Sequence, residues 1–251
     1  MAVFSQYFGK LNQYKNALTQ KVDNYWTLSC FQDVAAINPW LVPGQGRKTG
    51  SSIVLKNDVL VELGSPEAGS CSMTLYTNSP HQITDGWITL MGSDITEYTP
   101  KKLPFGQVIM VGGEHLTEED YYYLLQNLNV SEMIEGYMIR STAESIWCRI
   151  SKDAAKNGFN FHVLGSVLNW HIKQILPKVK AVEIVFVTTT KEDIEELNQI
   201  SKEVGEIGRR IKERIWREKG VDIYKCVPGG HCGACEDKTV CDTIRKIGAG
   251  R

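Results

Sequence analysis

The sequence predicts an α/β fold: a mixed sheet with flanking helices, a helical N-terminal arm and a C-terminal cysteine-rich metal-binding tail. Three observations carry this expectation. Ala181-Val-Glu-Ile-Val-Phe-Val187 is β-branched and almost wholly apolar, the composition of a central buried strand. A long amphipathic pattern follows it, opened by Thr190-Lys-Glu-Asp193. Beyond that pattern, four of the seven cysteines fall between Cys226 and Cys241. The expected division is a helical arm and linker over 1–50, an α/β domain over 51–220 and a four-cysteine module over 221–251.

Taken in order, Phe4, Tyr7, Phe8, Leu11, Tyr14, Leu18, Val22, Tyr25 and Trp26 recur at steps of three and four, which predicts a helix over 3–27. Its aromatic stripe packs on the body or on a second copy, so a homodimer through this N-terminal helix is one expected arrangement. Pro39 and Pro43 break regular structure, and Gly44-Gln-Gly-Arg-Lys-Thr-Gly50 fails the Walker spacing and reads as a linker. Ile53–Leu55 and Val59–Leu63 flank Lys56-Asn-Asp58 as a predicted hairpin. Further strands are predicted at 72–76, 87–91, 107–111 and 132–140. Thr117-Glu-Glu-Asp120 opens a helix to about Leu128, Ser151–Gly158 is a short capped helix, and another runs over 163–175 before Pro177. The Thr190 helix extends to about Lys219 on the stripe Ile194, Leu197, Ile200, Val204, Ile207, Ile211 and Ile215, with Gly220 as its stop. Val221–Tyr224 is a short strand leading to Cys226.

A formal net charge of −1 provides no basic excess, which argues against nucleic acid or an anionic membrane as the main partner. No apolar run is long enough to span a bilayer, and the N-terminus lacks the charged and apolar regions of a secretory signal. A cytoplasmic location is expected, where clustered thiols serve as metal ligands rather than disulfides.

The cluster reads Cys226-x5-Cys232-x2-Cys235-x5-Cys241, with Pro228, Gly229, Gly230 and Gly233 between the thiols. Four thiolates in one short loop repel one another unless a cation holds them. A structural zinc site takes its sulfurs from two short C-x2-C knuckles, and only one is present. The wider gaps suit the corners of a [4Fe–4S] cubane, and the glycines leave backbone N–H groups free to donate to sulfur. Zinc or another single ion is the alternative, and a metal-free tail the third reading. His231 is a replacement ligand or an outer-shell donor. Cys30, Cys71 and Cys148 are scattered and read as small buried apolar residues. Arg140, Arg149 and Lys152 are close enough in sequence to form an anion site, or stand as separate surface charges. His115, His162 and His171 show no ligand spacing, and no Ser/His/Asp set, Rossmann fingerprint or paired-carboxylate site is present.

Several runs resemble the acetyl-CoA synthase β subunit family of the carbon monoxide dehydrogenase/acetyl-CoA synthase complex. They are Val61-Glu-Leu-Gly-Ser-Pro66, Ile88–Ile95, Glu135-Gly136, Trp147-Cys-Arg-Ile-Ser-Lys-Asp-Ala154, Val182–Thr190 and Asp222-Ile-Tyr-Lys-Cys226. The similarity is to the family's middle domain, over roughly residues 60–226. It implies anaerobic one-carbon metabolism, in which the complete enzyme joins a corrinoid-borne methyl group, carbon monoxide and coenzyme A at a [4Fe–4S] cube bridged to a dinickel unit. Cys226 matches the first cube ligand, and Cys232, Cys235 and Cys241 can serve as the others with altered spacing. The nickel-binding Cys-Gly-Cys is absent, and Cys232-Gly-Ala-Cys235 has one residue too many. The sequence ends at Arg251, where the family adds a further domain, and the N-terminal docking region is missing or reduced, so a short form is expected. Trp147 and Arg149 match the residues associated with coenzyme A, whereas Tyr137, Met138 and Arg140 occupy the rest of that stretch. The resemblance thus implies an accessory, electron-transfer or docking subunit. Its partner would be a corrinoid protein, its activator or a dehydrogenase subunit. Against it stand a zinc-stapled interaction module and a CO-methylating acetyl-CoA synthase whose missing ligands come from a partner.

Overall fold

The computed structural model describes residues 3–32, 34, 53–95, 101–141 and 145–219. Pro39, Pro43, the 44–50 linker, the Gly220 stop, the 221–224 strand and the four-cysteine run with His231 lie outside these residues. The chain divides into two compact units, Met1–Glu206 and Ile207–Arg251.

The first unit is built on two mixed sheets with flanking helices. The larger has the order β1-β4-β9-β6-β3, formed by Tyr25–Ser29 (β1), Trp87–Gly92 (β4), Val179–Thr188 (β9), Phe105–Gly113 (β6) and Ser70–Thr77 (β3). The apolar run at 181–187 is its middle strand. β9 runs parallel to β4 and antiparallel to β6, with Ile184 opposite both Ile88 and Ile109. Covered on both faces, it needs no polar alternation, and Ile184, Phe186 and Val187 are fully buried.

Helix α1 (Ser5–Thr19) lies on the face bearing Glu183 and Met91. Lys15 Nζ donates to the buried Glu183 carboxylate at 2.5 Å, and Tyr14 Oη donates to Asp193 O at 2.9 Å. Phe4 meets the rings of Tyr76 and Tyr121. The stripe from Phe4 to Leu18 is therefore buried within its own chain. This resolves the two readings of the stripe and leaves no exposed apolar stripe on α1 for a homodimer through that helix.

The helix is shorter than the predicted 3–27. The chain turns at Gln20–Lys21, and Tyr25–Ser29 becomes an edge strand antiparallel to β4. Tyr, Trp, Thr and Leu suit an extended, partly covered edge, and pairing with a distant strand overrides the helical period of Val22, Tyr25 and Trp26.

On the opposite face of the large sheet, α4 (Phe161–Ile175) crosses β4 closely at Gly165, where a Cβ would meet the Ile88 side chain at 2.8 Å. Asn160 caps this helix, its Oδ1 accepting from Val163 N. α2 (Glu118–Asn127) has both halves of the predicted capping box, with Thr117 and Asp120 bonded reciprocally. α3 (Lys152–Lys156) is capped by Ser151 and closed at Gly158, whose φ of 88° suits glycine.

The second sheet has the order β5-β2-β8-β7: Lys101–Leu103 (β5), Val59–Leu63 (β2), Ile146–Ser151 (β8) and Tyr137–Ser141 (β7). The predicted 53–63 hairpin does not form. Residues 53–55 are not a strand, Lys56–Asp58 is a 3-10 turn, and β2 pairs with β8 and β5 instead. The strand predicted over 132–140 begins only at Tyr137, after Gly136 with φ 71°. Val61, Leu63, Cys148, Ile150 and Tyr137 point inward. Ser70 of β3 bonds to Ile146 N and O, tying the sheets together.

Helix α5 (Lys191–Glu218) opens at Thr190, whose hydroxyl accepts from Asp193 N and donates to Asp193 Oδ2. Its buried positions in the first unit are Ile194, Leu197, Ser201 and Val204. In the second unit its last turns carry the i,i+4 pair Arg209–Glu213 at 2.6 Å and place Lys212 Nζ 4.4 Å from the Trp216 ring centroid.

Candidate anion-binding face and cysteine set

Side chains alternate along a strand, so residues facing each other across a ladder share one side of the sheet. In the second sheet Glu62 stands opposite both Lys102 and Arg149, and Arg149 stands opposite Met138. Trp147 lies two residues before Arg149 and opposite Arg140. The face away from the core therefore gathers Lys102, Glu62, Arg149, Met138, Trp147 and Arg140. The sequence-predicted trio Arg140, Trp147 and Arg149 is brought together, while Lys152 is drawn to Asn57 O at 2.9 Å.

Two contacts order this face. The Arg149 guanidinium sits over the Trp147 ring, 4.6 Å from its centroid. Trp147 Nε1 donates to Glu62 Oε1 at 2.7 Å, which fixes the indole. Arg149 Nε is buried and has no hydrogen-bond partner among the described residues. An unpartnered buried donor is costly, and an acceptor supplied from outside would satisfy it. Lys102 is already paired with Glu67 at 3.4 Å, which leaves Arg149 and Arg140 beside a flat aromatic, an arrangement that suits an anion attached to an apolar or ring-bearing group. Glu62 and Lys102 were not singled out from sequence; their only signal was strand alternation across partners 85 and 47 residues from Trp147 and Arg149.

The cysteines of the body have the opposite character to a ligand set. Cys71 and Cys148 are fully buried and Cys30 is partly exposed, and none of the three is in a disulfide. Burial pushes the Cys148 thiol up to about 12, partly offset by the Tyr137 hydroxyl 3.4 Å away. Burial also raises the Cys30 thiol. His162 and His171 place Nε2 on the carbonyls of Ser29 and Asn127, both at 2.7 Å. Among the described residues no group of three or more His, Cys, Asp or Glu side chains is placed to hold a metal ion. Cys226, Cys232, Cys235 and Cys241 lie outside them.

The first unit is thus of the mixed α/β class, and one face of its second sheet carries Trp147 beside Arg149 and Arg140. The family model described as the CO dehydrogenase/acetyl-CoA synthase complex beta subunit matches residues 47–194, more than half the chain, and the chain belongs to this family. The matched residues include the second sheet and most of the first, and stop before the four-cysteine run. Among curated proteins, the chain is 26% identical over 182 residues to the acetyl-CoA decarbonylase/synthase complex subunit beta of Methanopyrus kandleri, covering 69% of this chain and 38% of that protein. It is 27% identical over 184 residues to the carbon monoxide dehydrogenase/acetyl-CoA synthase subunit alpha of Moorella thermoacetica, 69% of this chain and 24% of that one. The complex subunit beta of Archaeoglobus fulgidus matches at 27% over 178 residues, 69% and 33%. The chain thus spans between about a quarter and two fifths of the length of these relatives. No helix among the described residues is long and apolar enough to cross a membrane.

Proposed function

We propose that this chain is an accessory subunit of anaerobic one-carbon metabolism that holds a [4Fe–4S] cluster on Cys226, Cys232, Cys235 and Cys241. The observation that carries this reading is the gathering of four thiols within sixteen residues in a chain of this family. The donor set fits a cubane: four sulfurs, with glycines between them whose N–H groups are unobstructed by side chains. The cluster would supply one-electron transfer or hold the tail in shape. The α/β unit would dock a protein partner, a corrinoid methyl carrier, its activating enzyme or a dehydrogenase subunit. Within these 251 residues no two cysteines stand two apart, so the chain offers no Cys-x-Cys pair for a square-planar nickel. The open sheet face adds a ligand role: Arg149 and Arg140 would hold the phosphates of coenzyme A, with Trp147 as its flat neighbour.

Metal and sulfide analysis of anaerobically purified full-length chain tests the reading. About four iron and four sulfide per chain are expected, with no carbonyl exchange into acetyl-CoA after nickel loading. Stoichiometric zinc without sulfide would replace it with the zinc-stapled interaction module, and strong exchange after nickel loading would restore a catalytic subunit.

A further inference from the structure

The two edges of the five-stranded sheet are treated differently. An edge strand exposes a row of N–H and C=O groups that invites pairing with another chain. On β3 this row is occupied: Ser70 O accepts from Asn198 Nδ2 at 2.8 Å, Ser72 O from Ser201 Oγ at 2.8 Å and Thr74 O from Tyr121 Oη at 2.9 Å. Helices α5 and α2 thus close that edge with side chains.

β1 forms the other edge. Its bonds to β4 flank the strand at Asn24 O with Gly92 N and at Cys30 N with Gly86 O, and its register holds from Tyr25–Met91 to Ser29–Trp87 without a shift. In an antiparallel ladder this turns the backbone groups of Trp26 and Leu28 toward β4 and those of Tyr25, Thr27 and Ser29 outward. Among the described residues only Ser29 O of that outward set has a partner, His162 Nε2. The strand has no proline, no charged side chain and no bulge, the usual devices that keep an edge from pairing. Around it Tyr25 is 52% exposed, and Leu28 and Trp87 are each 44% exposed.

We infer that β1 is a pairing edge for a second copy of this chain, joined antiparallel about a two-fold axis at Thr27. In that register the Thr27 backbones bond to each other reciprocally, and Tyr25 of each copy faces Ser29 of the other. The large ring lies beside the small residue and toward the exposed Trp87. On the opposite face Trp26 meets Leu28 in a non-hydrogen-bonded pair, where side chains approach most closely. The strand is uncharged and the chain's net charge is −1, so self-pairing sets no like charges against each other along the seam. A single two-fold closes the assembly as a dimer.

Sedimentation velocity of the anaerobic full-length chain tests this over about 1–100 µM. The expected species has twice the 28.2 kDa chain mass. Thr27→Pro removes an N–H that points away from β4, so it takes no ladder bond from the monomer, and it should give a monomer with an unchanged circular dichroism spectrum. Leu28→Lys, at an exposed position, provides a second break if the proline variant fails to fold; it should weaken the dimer at least tenfold. Hydrogen exchange of the Tyr25 and Thr27 amides should slow as the dimer forms. A wild-type monomer throughout that range, a dimer indifferent to Leu28→Lys, or protection of the Thr27 amide in the monomer overturns the inference, the last by showing that another segment covers the edge.

Discussion

Seven cysteines fall into two regions with opposite chemistry. Cys30, Cys71 and Cys148 belong to the α/β unit, the first partly exposed and the other two buried, and Cys148 shows what burial means for a thiol: loss of water disfavours the thiolate and pushes its pKa up to about 12. Such a sulfur behaves as a small apolar side chain. The other four stand in sixteen residues rich in glycine, where ligation requires the thiolate and a cation must stabilise it. In the proposed reading the same residue type serves packing where burial withholds water and metal ligation where a cation stabilises its thiolate. The accessory role proposed above rests on the second set together with the family match.

The largest effect that would break this division is on bound iron. Cys232→Ser or Cys235→Ser should remove most of the iron and the brown absorption, while Cys148→Ala should retain both and cost about 1–2 kcal/mol in urea unfolding. Equal iron loss from both kinds of variant would contradict it. Next in size is thiol reactivity in metal-stripped protein. Iodoacetamide at pH 8 should label the tail cysteines and spare Cys148, whose burial both covers the sulfur and raises its pKa; peptide mapping reads the result.

A smaller effect separates the sheet face from the cysteines. Arg149→Ala should weaken coenzyme A binding by about tenfold in calorimetry, because the guanidinium over Trp147 presents the buried donor, and should leave the iron content unchanged. Glu62→Gln should tighten that binding a few-fold by removing the carboxylate that stands opposite Arg149.

The smallest concerns acid. Burial raises the Asp120 carboxyl, but Thr117 N–H, Lys178 and the Thr117 hydroxyl outweigh it and hold it below its usual value. A depressed folded-state value means the stabilisation is present at neutral pH and disappears as pH falls through that value, below about 4. Asp120→Asn should cost about 1 kcal/mol at pH 7 and show a flatter acid limb, with iron again unaffected.

What the sequence revealed follows from how local each signal is. The Thr117 and Thr190 caps lie within three residues of their partners, and both helices start where the sequence places them. The 181–187 run declared its burial by composition. The end of α1 was hidden because Val22, Tyr25 and Trp26 continue the helical stripe, while the strand that captures Tyr25–Ser29 comes about sixty residues later. The 53–63 hairpin failed for the same reason: β2 finds its partner in β8, far along the chain. Lys101–Leu103 is too short to show a period at all. At the sheet face no strand was predicted over Ile146–Ser151, so the placing of Trp147 and Arg149, two residues apart, on one side of a strand emerged only from the structure. Glu62, bonded to Trp147 from another strand, was visible only once the register was known. The cysteine spacing needed no register.

The most direct measurement is electron paramagnetic resonance of the anaerobically purified chain after dithionite reduction. A reduced cubane predicts a fast-relaxing signal that integrates to about one spin per chain and disappears in Cys232→Ser. A silent spectrum from colourless protein carrying stoichiometric zinc, or no metal, would contradict it.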